Sequence, residues 1–221
     1  MSVGPLGAIT RPPRGVKVLP EIAALLPKKA TVRGLIQAHL TREGEELVVY
    51  EIALKEEGKE VCCGYTYSVL AIRNGKLVKD LKDDVGGEEV NLLAYAKFSL
   101  ESGKDAVAFA FSSTGDGAAT DFQVFWAEGA HYKVGFAPAT SQGRIEILEG
   151  KSARLRVWSV EEKIDWRTSC VWCKHHYQIR TFLWNGREFA EQRSERKTTA
   201  ESIQPGTIAS QPIVVKRTPK T

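Results

Sequence analysis

Two cysteine pairs, with the histidines beside them, are the residues whose types and spacing best suit chemistry. Cys170 and Cys173 have the spacing of zinc-finger ligands, whereas Cys62 and Cys63 are adjacent. A disulfide within Cys170–Cys173, or disulfides between the two pairs, would indicate an oxidising compartment. A structural zinc ion and buried free thiols are the other interpretations. The candidate disulfide or metal residues are Cys62, Cys63, Cys170, Cys173, His175 and His176.

The sequence contains none of the residue patterns that are typical of an enzyme active site. A nucleophilic triad needs a serine or cysteine beside an oriented histidine, and the G-x-S-x-G turn is absent. P-loop and dinucleotide-binding fingerprints are absent as well. His39 alternates with apolar residues and His131 lies at a hairpin turn, so both are predicted to be structural or solvent-facing. We therefore expect no catalytic residue, and an enzyme of unknown class is our third hypothesis.

Charge is distributed unevenly along the 221 residues, whose formal net charge is +4. Residues 1–35 and 192–221 carry six Lys or Arg each against one and two acids, which leaves 19 basic and 24 acidic residues between them. The basic ends suit an acidic partner protein or an anionic membrane surface, the alternative being solubilising tails. The acidic middle disfavours nucleic acid, and no apolar run approaches the roughly 20 residues of a transmembrane helix. The candidate partner-binding residues at the ends are Arg11, Arg14, Lys216 and Arg217.

Proline and glycine divide the chain into arms and a centre. Residues 1–33 are predicted to be an extended N-terminal arm with one short helix over 19–27, begun at Pro20 and ended by Pro27. Residues 193–221 are predicted to be an extended C-terminal arm in which 211–216 forms one edge strand. Residues 34–192 are predicted to be a single β-repeat domain.

Apolar alternation with β-branched and aromatic enrichment recurs three times in that centre. Each unit is strand, strand, longer connection, strand, tight turn, strand, and the closing-turn glycines lie 54 and 57 residues apart. Asn74-Gly75 and Asn185-Gly186 are predicted to form type I′ hairpin turns. The fold class is therefore all-β, with about three four-stranded antiparallel units that form a propeller-like array, a barrel or a sandwich. The predicted strands are 35–40, 47–54, 65–72, 76–81, 91–100, 106–111, 122–126, 132–136, 144–148, 154–160, 177–184 and 187–192.

The second unit carries a family resemblance. The loop Ser-Ser-Thr-Gly-Asp-Gly-Ala-Ala-Thr-Asp over 112–121, followed by Phe-Gln-Val, resembles the FG-GAP and VCBS-type repeats of bacterial extracytoplasmic proteins. That resemblance implies propeller blades, an extracytoplasmic (periplasmic or secreted) location, and calcium bound by oxygen ligands that include Asp116 and Asp121. Zinc and calcium are thus the two metals to consider.

The five tryptophans all fall in the second half of the chain. Trp126, Trp158 and Trp184 lie on predicted strands and are expected to pack between sheets, whereas Trp166 and Trp172 lie in a long connection and are candidate partner-binding residues. The leading hypothesis is a non-catalytic β-repeat module, a structural or accessory subunit that makes protein–protein interactions through its surface and basic arms. The alternative is a secreted ligand- or glycan-binding protein of propeller-like fold.

Overall fold

The computed structural model describes residues 15–56, 59–81, 90–113, 119–136, 138–141, 143–161, 176–198 and 212–217. They form fourteen strands and one short helix, so the all-β prediction is confirmed. Within these residues, no helix has the length and apolar character needed to cross a membrane. The elements are α1 (Pro20–Ala23), β1 (Thr31–Ala38), β2 (Glu45–Glu56), β3 (Lys59–Arg73), β4 (Lys76–Asp80), β5 (Val90–Glu101), β6 (Lys104–Ser113), β7 (Ala119–Glu128), β8 (His131–Phe136), β9 (Ala139–Ser141), β10 (Arg144–Glu149), β11 (Arg154–Val160), β12 (His176–Trp184), β13 (Phe189–Thr198) and β14 (Ile213–Arg217).

The strands form three sheets, each built on a four-stranded antiparallel meander as the repeat predicts. Sheet 1 has the order β1-β2-β3-β4, and sheet 2 the order β5-β6-β7-β8, with β9 paired to β7. Sheet 3 has the order β13-β12-β11-β10-β14, in which β14 is parallel to β10. All twelve strands predicted for the repeats are therefore found, in the predicted order.

Sheet 2 lies between the other two sheets and is buried on both faces. The alternation of β6 shows why, because successive side chains of a strand point to opposite faces. Its alanines, Ala106, Ala108 and Ala110, belong to the core shared with sheet 3, whereas its larger side chains face sheet 1. The residues of β6 in the core shared with sheet 1 are Val107, Phe109 and Phe111. The three sheets are thus stacked face to face.

The two Asn-Gly hairpins differ from each other. Asn74 and Gly75 have φ of 50° and 72°, so the predicted turn with two left-handed residues is confirmed there. The corresponding prediction for Asn185-Gly186 is wrong. Only Gly186 has a positive φ there, and β12 and β13 are joined by four residues. The Asn185 side chain makes the difference, because its Oδ1 accepts the N–H groups of Arg187 and Glu188, both at 2.9 Å.

The described parts of both arms pack on the sheets, and they include the short helix and the edge strand that the sequence predicts. Residues 193–198 differ from the predicted extended arm, because they continue β13. Ile22 of α1 is buried on the outer face of sheet 1, and the Val16 N–H donates to the Val32 carbonyl at 2.9 Å. At the other end, β14 lies at the edge of sheet 3, as the sequence predicts for 211–216, and Ile213 is buried in the core shared with sheet 2. The apolar residues of both arms explain this, since each arm covers surface that the meanders leave exposed.

A buried carboxylate joins sheet 1 to sheet 2. Glu45, at the start of β2, accepts hydrogen bonds from the backbone N–H groups of Leu40 and Thr41, both at 3.1 Å. It also accepts from Arg73 Nη2 at 2.8 Å and from the Tyr132 hydroxyl of β8 at 3.1 Å. Burial raises the pKa of this carboxyl, but the hydrogen bonds from Thr41, Arg73 and Tyr132 outweigh burial and hold the pKa below its ordinary value.

Glu45→Gln is expected to lower the free energy of unfolding by about 2 kcal/mol at neutral pH. The glutamine side chain carries no charge, and its NH₂ group would face hydrogen-bond donors that now bind the carboxylate. The depressed pKa means that the carboxylate stabilises the fold above about pH 4.3, where the unfolded glutamate titrates, and that this stabilisation is lost as the pH falls through the folded pKa. Urea unfolding of both proteins between pH 3 and 7 measures the difference. A difference that stays constant over this range would contradict the assignment.

Candidate functional site

The outer face of sheet 3, which points away from sheet 2, carries several positively charged side chains around one groove. Residues paired directly across neighbouring strands share a face. Lys216 of β14 is paired with Leu148 of β10, Leu148 with Arg154 of β11, and Arg154 with Leu183 of β12. Ile213 points the other way, into the core. The register therefore places two cations and two apolar side chains in one row.

A groove of about 550 Å³ follows this row at the end of the β10–β11 hairpin. Its cations outnumber its carboxylates by four to one. Because the turn between β10 and β11 closes the hairpin, it brings Lys151 beside the side chains of β14. The lining consists of Leu148, Glu149, Gly150, Lys151, Ser152, Arg154, Leu183, Lys216 and Arg217.

The four cations of the groove differ in how they are paired. Arg217 Nε lies 3.2 Å from Glu149 Oε2, and Lys216 Nζ lies 3.2 Å from Glu146 Oε1. Lys151 and Arg154 make no ion pair with any described residue and are exposed. The Lys216 and Arg217 side chains also remain 53% and 61% exposed. The groove thus presents positive charge that the described chain does not neutralise.

Glu146 fixes the position of the β14 side of the groove. It is buried, with its side chain 2% exposed, and it is surrounded by Arg144 at 2.8 Å, Arg156 at 3.1 Å and Lys216 at 3.2 Å. A buried charge is stabilised only when it is paired in this way. The cluster therefore ties Lys216 to β10 and β11 through a single carboxylate.

Trp158 is 3% exposed and so is buried as predicted, but it lies on the same outer face and does not pack between sheets 2 and 3. It is paired with Arg144 and Ile179 across the sheet and belongs to a small cluster apart from the core of sheets 2 and 3. The charged groups of Arg144, Arg156 and Lys197 lie 4.6, 5.5 and 5.3 Å from its ring. These are cation–π distances, so the indole helps to hold cations on this face. Trp126 and Trp184, by contrast, pack between the sheets as predicted.

The structure places only part of the sequence-predicted site. Lys216 and Arg217 lie in the groove, and His176 begins β12, where its Nδ1 lies 2.8 Å from Thr198 Oγ1. Asp121 lies on β7, opposite Phe111 and Ala139. Cys62 and Cys63 lie on β3, where only the backbone is described. The candidates outside the described residues are Arg11, Arg14, Asp116, Trp166, Cys170, Trp172, Cys173 and His175.

The disulfide, zinc and calcium hypotheses therefore stay predictions. Among the described residues, no group of three or more His, Cys, Asp or Glu could hold a metal ion. Sequence reasoning missed Lys151 and Arg154, because neither is near Lys216 in the sequence. Finding them requires two facts together: which side chains of β10 and β11 share the outer face, and that β14 pairs with β10.

The fold and this groove define the class as an all-β protein of three stacked meanders with a basic groove on one outer sheet. Comparisons of the chain with protein-family models, with curated proteins and with solved structures find no match.

Proposed function

We propose that this protein is a non-catalytic binding module, a structural or accessory subunit that holds an acidic segment of a partner protein in the groove of sheet 3. The observation that carries the proposal is the set of four cations around the groove, of which Lys151 and Arg154 have no ion-pair partner among the described residues. Complementary charge steers such a partner to the surface and fixes its register. The basic ends predicted from the sequence add to the same attraction.

The shape of the groove favours a polypeptide over a flat anionic surface. Leu148 and Leu183 lie in the same row as Arg154 and Lys216, so apolar and charged groups alternate along it. A peptide with alternating acidic and apolar side chains would match both. Arginine also presents a planar fork that can bind a carboxylate through two hydrogen bonds.

Exposed ion pairs are weak, typically about 0.2–1 kcal/mol each, so binding through this groove is expected to be modest and sensitive to salt. A fluorescein-labelled peptide of alternating Glu and Leu is the probe, and its binding is measured by fluorescence anisotropy. Lys151→Glu combined with Arg154→Glu is expected to weaken binding about tenfold, because two attractions become repulsions. Raising the salt well above 0.1 M, where the Debye length is about 10 Å, should weaken binding to the unaltered protein.

Lys28→Glu combined with Lys76→Glu is the matched control, because it changes the net charge equally at two exposed positions away from sheet 3. The proposal is contradicted if this control weakens binding as much as the groove variant does. It is also contradicted if the peptide fails to bind while vesicles containing phosphatidylserine do, since the anionic partner would then be a membrane surface.

A further inference from the structure

A second concave site lies at the end of the interface between sheets 1 and 2, away from the groove of sheet 3. Along β2 and β3 the side chains that face sheet 2 are apolar at Val49 and Val69, but the next ones are Glu51 and Tyr67. Thr31 of β1 is paired with Glu51, and Glu51 with Tyr67, so the three form one row across the sheet. The apolar core thus ends in a polar crevice of about 620 Å³.

Irregular strand pairing surrounds this crevice. The register shifts between Val32 and Gly34 in β1, between Ala53 and Lys55 in β2, and between Leu92 and Ala94 in β5. A β-bulge re-aims a side chain and bends its strand, and such bulges are common beside functional sites. The bulge in β1 falls on Arg33, which lines the crevice.

Gly34 lets β1 come close to sheet 2 beside the crevice. A Cβ atom at this position would lie 2.7 Å from the Tyr95 hydroxyl, so any other residue would push the Tyr95 ring away. Strand β1 and β5 are therefore held together at the wall of the crevice by a contact that only glycine allows.

The charges of the crevice neutralise each other. Arg33 Nε lies 3.4 Å from Glu51 Oε2, and their side chains are 17% and 9% exposed. The Tyr67 hydroxyl donates to the Glu51 carboxylate and accepts the Leu92 N–H. Burial is the main cause that raises the pKa of Tyr67, and the Glu51 carboxylate is the second. The phenol therefore stays protonated and continues to donate its hydrogen bond to Glu51. An ionic ligand would have to break this arrangement.

Neutral polar groups remain available at the same place. The side chains of Thr31, Tyr65 and Asn91 line the crevice and make no hydrogen bond with other described residues. Asn91 offers both a donor and an acceptor, and the hydroxyls of Thr31 and Tyr65 can do either. The half-buried ring of Tyr65 lies 6.2 Å from that of Tyr67 at an angle of 58°, which adds aromatic surface.

We propose that this crevice binds a neutral sugar residue of a glycan. A sugar ring has an apolar face of C–H groups, which fits an aromatic ring, and an edge of hydroxyls, which fits neutral donors and acceptors. The volume of about 620 Å³ lies within the range of small-molecule sites, which combine aromatic walls with a few placed polar groups. The paired charges of Arg33 and Glu51 favour a neutral ligand over a charged one.

The test is isothermal titration calorimetry, supported by saturation-transfer NMR, with neutral tetrasaccharides of glucose, galactose, mannose and N-acetylglucosamine, and with tetragalacturonate as the charged comparison. At least one neutral tetrasaccharide is expected to bind saturably, with an affinity that does not change with salt. Tyr65→Ala and Asn91→Ala are each expected to weaken binding about tenfold, since each removes a side chain that would contact the bound ligand. Tyr65→Phe keeps the ring and is expected to lose less.

Gln178→Ala, at an exposed position of β12, is the control and should bind as the unaltered protein does. Circular dichroism confirms that each variant is folded. The proposal is overturned if no neutral tetrasaccharide binds, if only tetragalacturonate binds, or if folded Tyr65→Ala and Asn91→Ala both bind normally. Since sheet 3 carries the acidic-peptide groove, failure here leaves that proposal standing, and the reverse also holds.

Discussion

Trp126→Ala is expected to lower the free energy of unfolding by about 3–5 kcal/mol, as measured by urea denaturation. Trp126 is 2% exposed in the core shared by sheets 2 and 3, where its ring meets those of Trp184 at 5.4 Å and Phe189 at 6.1 Å. Gly135 gives it room, since a Cβ there would lie 2.2 Å from the indole. Alanine would leave a cavity that both sheets line, and packed side chains relax only partly into such a cavity.

Trp126→Phe tests the reason for that loss. Within the described chain the Trp126 indole N–H is buried without a hydrogen-bond partner, so phenylalanine removes an unsatisfied donor while it keeps most of the aromatic packing. Its cost should be well below that of alanine. Equal costs for the two variants would show that the ring contacts with Trp184 and Phe189 matter less than the geometry indicates.

Ile213→Asp is expected to lower the free energy of unfolding by about 3 kcal/mol or more and to weaken binding of the acidic peptide. Ile213 is 1% exposed. The residue before it, Pro212, accepts a hydrogen bond through its carbonyl from the Ile145 N–H of β10 at 2.8 Å. A buried, unpaired carboxylate would displace β14 from β10. Lys216 and Arg217 would then leave the groove, so stability and binding should be lost together.

Ile213→Val is the control, because it keeps an apolar side chain and should cost only about 0.5–1.5 kcal/mol with peptide binding retained. Denaturation and fluorescence anisotropy are measured on the same samples. If Ile213→Asp keeps both its stability and its peptide binding, β14 does not contribute to the sheet in solution, and the groove assignment fails with it.

Much of the fold could be predicted because its elements are local. Alternation along single strands and the turn at Asn74-Gly75 define the meanders, and Pro212 correctly indicated an edge strand. Alternation shows which residues share a face but not which sheet that face meets. For this reason the sequence predicts that Trp158 is buried, but not that its cluster lies on the face of sheet 3 that points away from sheet 2.

The candidate sites were less predictable because pairing distant in sequence builds them. Lys216 and Arg217 could be proposed from charge alone, whereas Arg154 joins them only through β10, which pairs with both β11 and β14. The crevice depends on strand irregularities such as the bulge at Arg33. Gly34 beside it is a local signal, since an isolated glycine in a strand often marks a bulge, but it does not indicate which side chains the bulge brings together. Register, more than composition, decides where these side chains meet.

The alanine row of β6 bears on how freely the three units could be rearranged. Ala106, Ala108 and Ala110 leave space that the large side chains around sheet 3 fill, while Phe109 and Phe111 on the other side meet sheet 1. A chain from which the middle unit had been deleted would bring together two faces with mismatched volumes, and over-packing and voids both destabilise a core. If the units arose by duplication, each has since become specific to its place, so they cannot be exchanged, added or removed as interchangeable copies.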